Sequence, residues 1–241
     1  MRVDVLTLFP KMFEGSFSES LMSRAQEKGL FTLHLTNIRD FTQDKHQTAD
    51  DSPYGGGSGM VMKPEPIFEA VNSLNPNKKA RVILMCPSGE PLTQQKVIEF
   101  SKEEHLIIIC GHYEGFDERV RENLATDEIS IGDYVLTGGE LPAMVLIDSV
   151  VRQIPGVVKE EESLTNESYY NGLLDYPSYT RPEEFSGLSL PDVLKSGHHK
   201  EIAQWRKKEA LTRTFFRRPD LIAKMSLTEA DKAIIAEIIN G

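Results

Sequence analysis

Two segments of this chain combine glycines with aromatic and acidic side chains in a pattern suited to holding a small ligand. One is Gly111-His112-Tyr113-Glu114-Gly115-Phe116-Asp117-Glu118-Arg119-Val120, and the other is Ile131-Gly132-Asp133-Tyr134-Val135-Leu136-Thr137-Gly138-Gly139-Glu140-Leu141-Pro142. Each follows a short apolar or alternating run and then breaks into glycine-rich turns, as loops leaving one sheet edge do. Glycine lets backbone approach a ligand closely, while the neighbouring acids and rings supply charge and stacking surface. A shorter loop, Pro87-Ser88-Gly89, follows Cys86. In open α/β sheets ligands bind outside the carboxyl ends of strands, so three such loops are expected to line one pocket.

A fourth glycine-rich segment, Asp51-Ser52-Pro53-Tyr54-Gly55-Gly56-Gly57-Ser58-Gly59-Met60, excludes two common nucleotide sites. No Gly-Lys-Ser/Thr follows it, which removes a Walker-type phosphate loop. A dinucleotide fingerprint starting at Gly55 and Gly57 would need glycine where Met60 stands. Two readings stay open for it: a mobile surface loop, or a lid that brings backbone close to a ligand.

The elements that must carry these loops are legible as alternating extended and helical runs. Arg2 to Leu8 reads as extended, Ser18 to Lys28 as helical and Leu30 to Thr36 as extended. A second series runs Pro66 to Leu74 helical, Arg81 to Cys86 extended, Thr93 to Ser101 helical and His105 to Cys110 extended. Strands alternating with helices indicate βαβ units on a parallel sheet. Ile107, Ile108 and Ile109 are consecutive, so both faces of their strand should be covered. The acidic, aperiodic stretch from Lys159 to Asn171, with Glu160, Glu161 and Glu162, reads as a disordered linker. Beyond Pro182 the pattern turns helical and basic, with Lys195, Lys200, Arg206, Lys207, Lys208, Arg213, Arg217 and Arg218 interleaved with Trp205, Phe215 and Phe216. Such interleaving suits a nucleic-acid surface. Ile202, Trp205 and Phe216 share one side of the basic helix, which Leu211 and Phe215 do not. In the last helix Ser226 and Glu229 form an expected capping box, with Ala230, Ile234 and Ile238 on one face.

Composition bounds the class. The 241 residues, 39% hydrophobic and 27% charged, suffice for one large or two unequal globular domains. No apolar run approaches the length of a spanning helix, and no export signal opens the chain. Its two cysteines, Cys86 and Cys110, end apolar runs and read as buried thiols in a reducing, cytoplasmic setting. The net charge of −10 argues against binding polyanions over the whole surface, but leaves room for a local basic patch.

At these motifs the chain resembles the bacterial tRNA (guanine-N1)-methyltransferases, which modify the guanine at tRNA position 37 beside the anticodon. The similarity runs in order through Leu8-Phe9-Pro10, Pro53-Tyr54-Gly55-Gly56-Gly57, Gly59-Met60, both long glycine segments, Ile154-Pro155-Gly156-Val157, Gly172-Leu173-Leu174-Asp175-Tyr176-Pro177 and Tyr179-Thr180-Arg181-Pro182. It implies an α/β parallel-sheet domain of the SPOUT superfamily with a deep trefoil knot over residues 1–160. A flexible linker over 161–176 and a small C-terminal helical tRNA-binding domain over 177–241 would follow.

The resemblance implies S-adenosylmethionine as methyl donor, bound in the knot. Its contacts would be Pro87 from the first loop and Gly111, Tyr113 and Glu114 from the second. The third loop would supply Ile131, Gly132, Asp133, Tyr134, Val135, Leu136, Gly138, Gly139 and Pro142. Glu114 is expected at the cofactor's charged end. Mg2+ is a candidate assisting ion, although no carboxylate cluster in the sequence marks a metal site. Partners would be tRNA and a second copy of the chain in a homodimer with composite active sites, with no role for DNA or a membrane.

Guanine N1 becomes a nucleophile only as its proton leaves and charge builds toward O6, so a base and a cation are required. By family position the cation is Arg152 and the base Glu167, where Glu167-Ser168-Tyr169 replaces the family's usual Asp-Ser-aromatic. Asp175 is the alternative base or a guanine contact. The linker is expected to order on tRNA binding. Expected tRNA contacts are Asp175, Tyr179, Arg181, Lys195, His198, Arg206, Lys207 and Arg213. His198-His199 is a metal pair by residue type only.

Overall fold

The computed structural model describes residues 1–240. Gly241, the last residue of the expected helical domain, and the side chains of Glu161 and Glu162 in the expected linker lie outside the described residues. The chain divides into two compact units, Met1–Lys159 and a second beginning at Glu160.

The first unit is built on a five-stranded sheet. Its strands are β1 (Arg2–Thr7), β2 (Thr32–Asn37), β5 (Arg81–Pro91), β6 (His105–Cys110) and β7 (Asp127–Ser130), in the order β2-β1-β6-β5-β7. Every pairing in that sheet is parallel. A separate antiparallel pair joins β3 (Asp50–Asp51) to β4 (Val61–Met62). Helices α1 (Ser20–Glu27), α2 (Pro64–Leu74), α3 (Gln94–Phe100), α4 (Glu118–Asn123) and α5 (Glu140–Val151) complete the unit. The α2 helix starts earlier than its apolar pattern suggests because Pro64 occupies its first turn, where the missing N–H costs nothing.

Alternation along the strands feeds two cores. Val3, Val5, Leu106, Ile108 and Ile83 pack with α1, α3 and α5 residues such as Phe100, Leu146 and Val150. Leu6, Ile107, Ile109 and Leu84 pack with Ile67, Ala70, Val71 and Val120 of α2 and α4. Ile107 to Ile109 are fully buried on both faces, as the run of β-branched residues requires.

The β5 strand runs past Cys86, where the apolar pattern ends. Met85 and Glu90 both align with Ile129, so residues 86–89 leave the ladder and return to the same neighbour. At its other end, Arg81 grips Asp127 through two hydrogen bonds of 2.6 and 2.8 Å and reaches Glu99 at 2.7 Å, pinning β5 to β7 and α3.

The second unit contains α6 (Glu161–Thr165), the hairpin β8 (Glu184–Phe185) and β9 (Leu188–Ser189), then α7 (His199–Arg217), α8 (Pro219–Lys224) and α9 (Glu229–Asn240). The expected linker therefore carries a short helix, because local bonds suffice to form one. Ser163 Oγ donates to the Glu160 carbonyl at 2.6 Å, and Asn171 Nδ2 donates to that of Thr165 at 2.7 Å. In α7 the buried face is Ala210, Leu211 and Thr214, so Leu211 lies off the side shared by Ile202, Trp205 and Phe216, as expected; on that side Ile202 and Trp205 are half-buried and Phe216 is exposed. The capping box of α9 also moves by two residues. Thr228 Oγ1 donates to Asp231 at 2.8 Å, and the Asp231 N–H donates back to it at 3.2 Å, so Ser226 and Glu229 are not the pair. Asp231 is buried, and Lys207 reaches it at 2.9 Å; Ala230 is exposed.

Burial pushes the Asp127 carboxyl up, but hydrogen bonds from Arg81 and Thr126 outweigh it and hold the group below its ordinary 3.8. Its contribution to stability is therefore full above 3.8 and lost as pH falls through the lowered value. Asp127→Asn should lower stability by about 2 kcal/mol at pH 7, measured by urea denaturation. The gap to the unaltered protein should start to narrow only below pH 3.8; a gap that does not depend on pH would contradict this.

Candidate active site

A cavity of about 430 Å³ opens at the carboxyl ends of β6 and β7, beside the point where β5 leaves its ladder. Its first wall is Cys86 and Pro87 in the excursion of β5, its second Gly111 to Phe116 after β6, and its third Ile131 to Gly139 with Pro142 after β7. Twelve of the thirteen residues expected at the cofactor line this single space. The exception is Asp133. The Tyr134 N–H closes a turn onto the Gly132 carbonyl at 2.9 Å and leaves Asp133 exposed outside the lining.

The second and third walls are locked by backbone approach. The Gly139 N–H donates to the Gly111 carbonyl at 2.8 Å. A Cβ on Gly139 would stand 2.7 Å from Cys110 Cα and from Gly111 N, which are both backbone and cannot step aside. The glycine-rich segment before β4 joins the second wall as well. Its foot is tied there by Glu114 N to Met60 O at 3.0 Å and Met62 N to Gly115 O at 2.9 Å. Gly59, at φ +88°, lies where any side chain would collide with the Glu114 carboxylate. The segment's tip remains free, with Tyr54 fully exposed.

Behind the walls lies a buried acid, Glu140, the first residue of α5. Thr7 Oγ1 donates to its Oε1 at 2.5 Å, and His112 Nε2 lies 2.7 Å from its Oε2. Sequence reasoning did not assign a site role to either Glu140 or His112, although both stand inside the quoted motifs. Their signal was present as an acid and an imidazole beside glycines, but their contact across 28 positions was not.

Two further charged lining groups were missed, Arg121 and Glu118 on α4. Arg121 forms ion pairs with Glu128 and, at 3.2 Å, with Glu118. It also donates to Cys86 Sγ at 3.5 Å, and Ser88 Oγ lies 3.0 Å from the same sulfur. Burial alone would push the Cys86 thiol up, but these bonds hold it below the usual thiol value. The two cysteines thus differ from the single expectation for both: Cys110 is sealed in the core, whereas Cys86 is half-buried on the cavity rim.

Arg152 caps the end of α5, where its N–H donates to the Asp148 carbonyl at 3.2 Å. The second unit holds a polar cavity of about 490 Å³ that brings Glu167, Asp175 and Arg206 together with Tyr176, Asn166 and Ser163. Ser168 Oγ donates to the Asp175 carboxylate at 3.0 Å, and Arg213 approaches that carboxylate at 3.4 Å. The Arg206 guanidinium stacks 4.8 Å from the Tyr176 ring centre, and Tyr179 packs beside Trp205. Lys207 is committed to Asp231 and Lys195 to Asp192, whereas Arg181 and His198 are exposed. Among the described residues no group of three or more His, Cys, Asp and Glu side chains could hold a metal, and the His198-His199 pair stands at the start of α7.

A parallel α/β sheet with a glycine-walled cavity at its carboxyl edge defines a ligand-binding enzyme fold. Comparison with known proteins narrows that class. The family model described as tRNA (guanine-1)-methyltransferase TrmD matches residues 1–224. The chain is 59% identical over 238 residues to a protein of Brevibacillus brevis named tRNA (guanine-N(1)-)-methyltransferase, covering 99% of this chain and 98% of the relative. Proteins of the same name from Desulforamulus reducens and Staphylococcus aureus are each 56% identical, over 243 and 235 residues, covering 100% and 98% of this chain and 96% of each relative. The chain belongs to the tRNA (guanine-1)-methyltransferase family and is a methyltransferase.

The backbone lock at Gly139 makes a direct prediction. Gly139→Ala should force the walls apart, lowering the thermal midpoint by several degrees and abolishing ligand binding to the cavity in calorimetry, at a cost of about 1–3 kcal/mol. Unchanged stability and binding would show that the walls are not held at this point.

Proposed function

We propose that the protein transfers a methyl group from S-adenosylmethionine to N1 of the guanine at position 37 of tRNA. The observation that carries this reading is the convergence of three sequence-distant loops, those the resemblance assigns to the cofactor, on one cavity. The residues present suit that donor. Glycine backbone at positions 111, 132, 138 and 139 allows close approach, Ile131, Leu136 and Pro142 offer apolar cover for adenine, and Glu114 matches a cationic end. When bound, S-adenosylmethionine supplies an electrophilic methyl group on a sulfonium.

The rest of the chemistry falls to the chain. Glu167 accepts the N1 proton of guanine, and Arg152, always charged, balances the negative charge that develops on O6. The extra methylene of Glu167 relative to the family's aspartate must be absorbed by backbone or rotamer. Asp175 lines the same polar cavity as Glu167 and is the alternative base or a guanine contact. The target base must leave its stack to be reached, and Tyr179, Arg181, His198, Arg206 and Arg213 are the proposed tRNA contacts. With their charges already paired to Asp192, Asp231 and Asp175 respectively, Lys195, Lys207 and Arg213 are weaker contacts.

A homodimer with composite sites is part of the reading, supported by apolar side chains left open on the first unit. Leu141 and Val145 of α5 are each 48% exposed, with Phe9 and Met12 nearly as open. The trefoil knot is supported by the excursion of β5 and by the close crossing at Gly139. No helix among the described residues is long and apolar enough to cross a membrane, and a tRNA substrate gives a cytoplasmic site of action.

The test is transfer of labelled methyl from S-adenosylmethionine to tRNA transcripts carrying guanine or another base at position 37. Incorporation should require that guanine, and nucleoside digestion should return 1-methylguanosine. Glu167→Gln and Arg152→Ala should each lower the single-turnover rate by about 10²–10³-fold while retaining donor binding. Incorporation indifferent to the base at 37 would overturn the site, and near-normal turnover by Glu167→Gln would remove Glu167 as the base.

A further inference from the structure

The buried contact between Glu140 and His112 has no part in the mechanism above, yet it sits directly behind the cavity. Glu140 is wholly buried and does not line the space, whereas His112 does. Both carboxylate oxygens are engaged, by Thr7 Oγ1 at 2.5 Å and by His112 Nε2 at 2.7 Å. Thr7 Oγ1 in turn accepts the Phe9 N–H at 2.8 Å, and the Phe9 ring packs edge-on against the imidazole, with centroids 4.7 Å apart. Gly138 leaves the space the pair occupies, since a Cβ there would run into the imidazole and stand 2.6 Å from Glu140 Oε2. Among the described residues no hydrogen bond engages His112 Nδ1.

In a neutral imidazole, a carboxylate at one nitrogen fixes the proton on that nitrogen, which leaves the other as an acceptor. We propose that Glu140 and His112 form a positioning dyad for the methyl donor. Glu140 holds the imidazole with its proton on Nε2, and Nδ1 accepts a hydrogen bond from an N–H or O–H group of the bound cofactor. Thr7 completes the dyad by satisfying the second carboxylate oxygen. A buried carboxylate is costly, and a neutral amide of the same shape would serve packing equally well, so the acid is explained by the tautomer it imposes. The inference rests on the cavity holding S-adenosylmethionine.

Glu140→Gln is the informative change, because the amide can donate to Nε2 and so allows the opposite tautomer, with Nδ1 protonated and unable to accept. Calorimetric titration with S-adenosylhomocysteine should show binding about tenfold weaker in Glu140→Gln than in the unaltered protein, within the range found when a supporting partner is removed. The donor KM should rise by a similar factor, with kcat at saturating donor and KM for tRNA changed less than about twofold. His112→Phe, which keeps ring packing against Phe9, should weaken binding comparably, and adding Glu140→Gln to it should cost less than about twofold more, as expected of groups acting as a unit. Should Glu140→Gln fail to fold, Thr7→Ser should retain binding while Thr7→Val weakens it. Unaltered binding in Glu140→Gln, a fully additive double variant, or a loss confined to kcat would overturn the dyad alone. Absence of binding by the unaltered protein would overturn the cofactor reading and the dyad with it.

Discussion

The close crossing of Gly139 over Cys110 and Gly111 is the constraint on which the rest of the site depends. There the chain after β7 passes within van der Waals reach of the chain leaving β6, and only the absence of a side chain permits it. One hydrogen bond, Gly139 N to Gly111 O, fixes the crossing, and α5 begins at the next residue. That start sets Glu140 against Thr7 and His112, which ties the end of β1 to both loops. The cavity walls are therefore tied directly to the sheet.

The same economy governs charge. Acids that enter the interior are met by specific donors: Asp4 by Arg2 and His105, Asp127 by Arg81, and Asp231 by Thr228 and Lys207. Burying such groups unpaired would cost several kcal/mol each. In the second unit this pairing decides which basic side chains keep an unneutralised charge. A count of lysines and arginines along α7 overstates that charge, because Lys207 belongs to the architecture of the terminal helix. The polar cavity around Glu167, Asp175 and Arg206 is different in kind, since opposite charges there line a space of about 490 Å³.

Strand and helix periods carried much of the first unit. The Ile107–Ile109 run required two covered faces, and the glycine segments marked the carboxyl edge of the sheet. Features that depend on long-range pairing were invisible to those periods. Nothing in Cys86-Pro87-Ser88-Gly89 announces that β5 leaves and rejoins the same neighbour, and nothing local joins Glu140 to Thr7 across 133 positions. Capping was misread for the opposite reason. Ser226 and Glu229 satisfy the spacing, but Thr228 and Asp231 satisfy it too, and burial of Asp231 against Lys207 selects the second pair. In α7 the apolar residues do not fall on one stripe, so period alone did not say which side is buried; the structure buries Leu211 and leaves Phe216 exposed. The linker's acidic composition hid a short helix that local hydrogen bonds sustain.

The central claim is that one preformed cavity, walled by three loops at the carboxyl edge of the sheet, receives the methyl donor. Amide hydrogen exchange with and without S-adenosylmethionine measures this most directly. Added protection should be concentrated in residues 85–89, 111–116 and 130–142, with the core strands already protected in the free protein. Protection centred elsewhere, or core strands that become protected only with the donor, would contradict a cavity built by the fold before its ligand arrives.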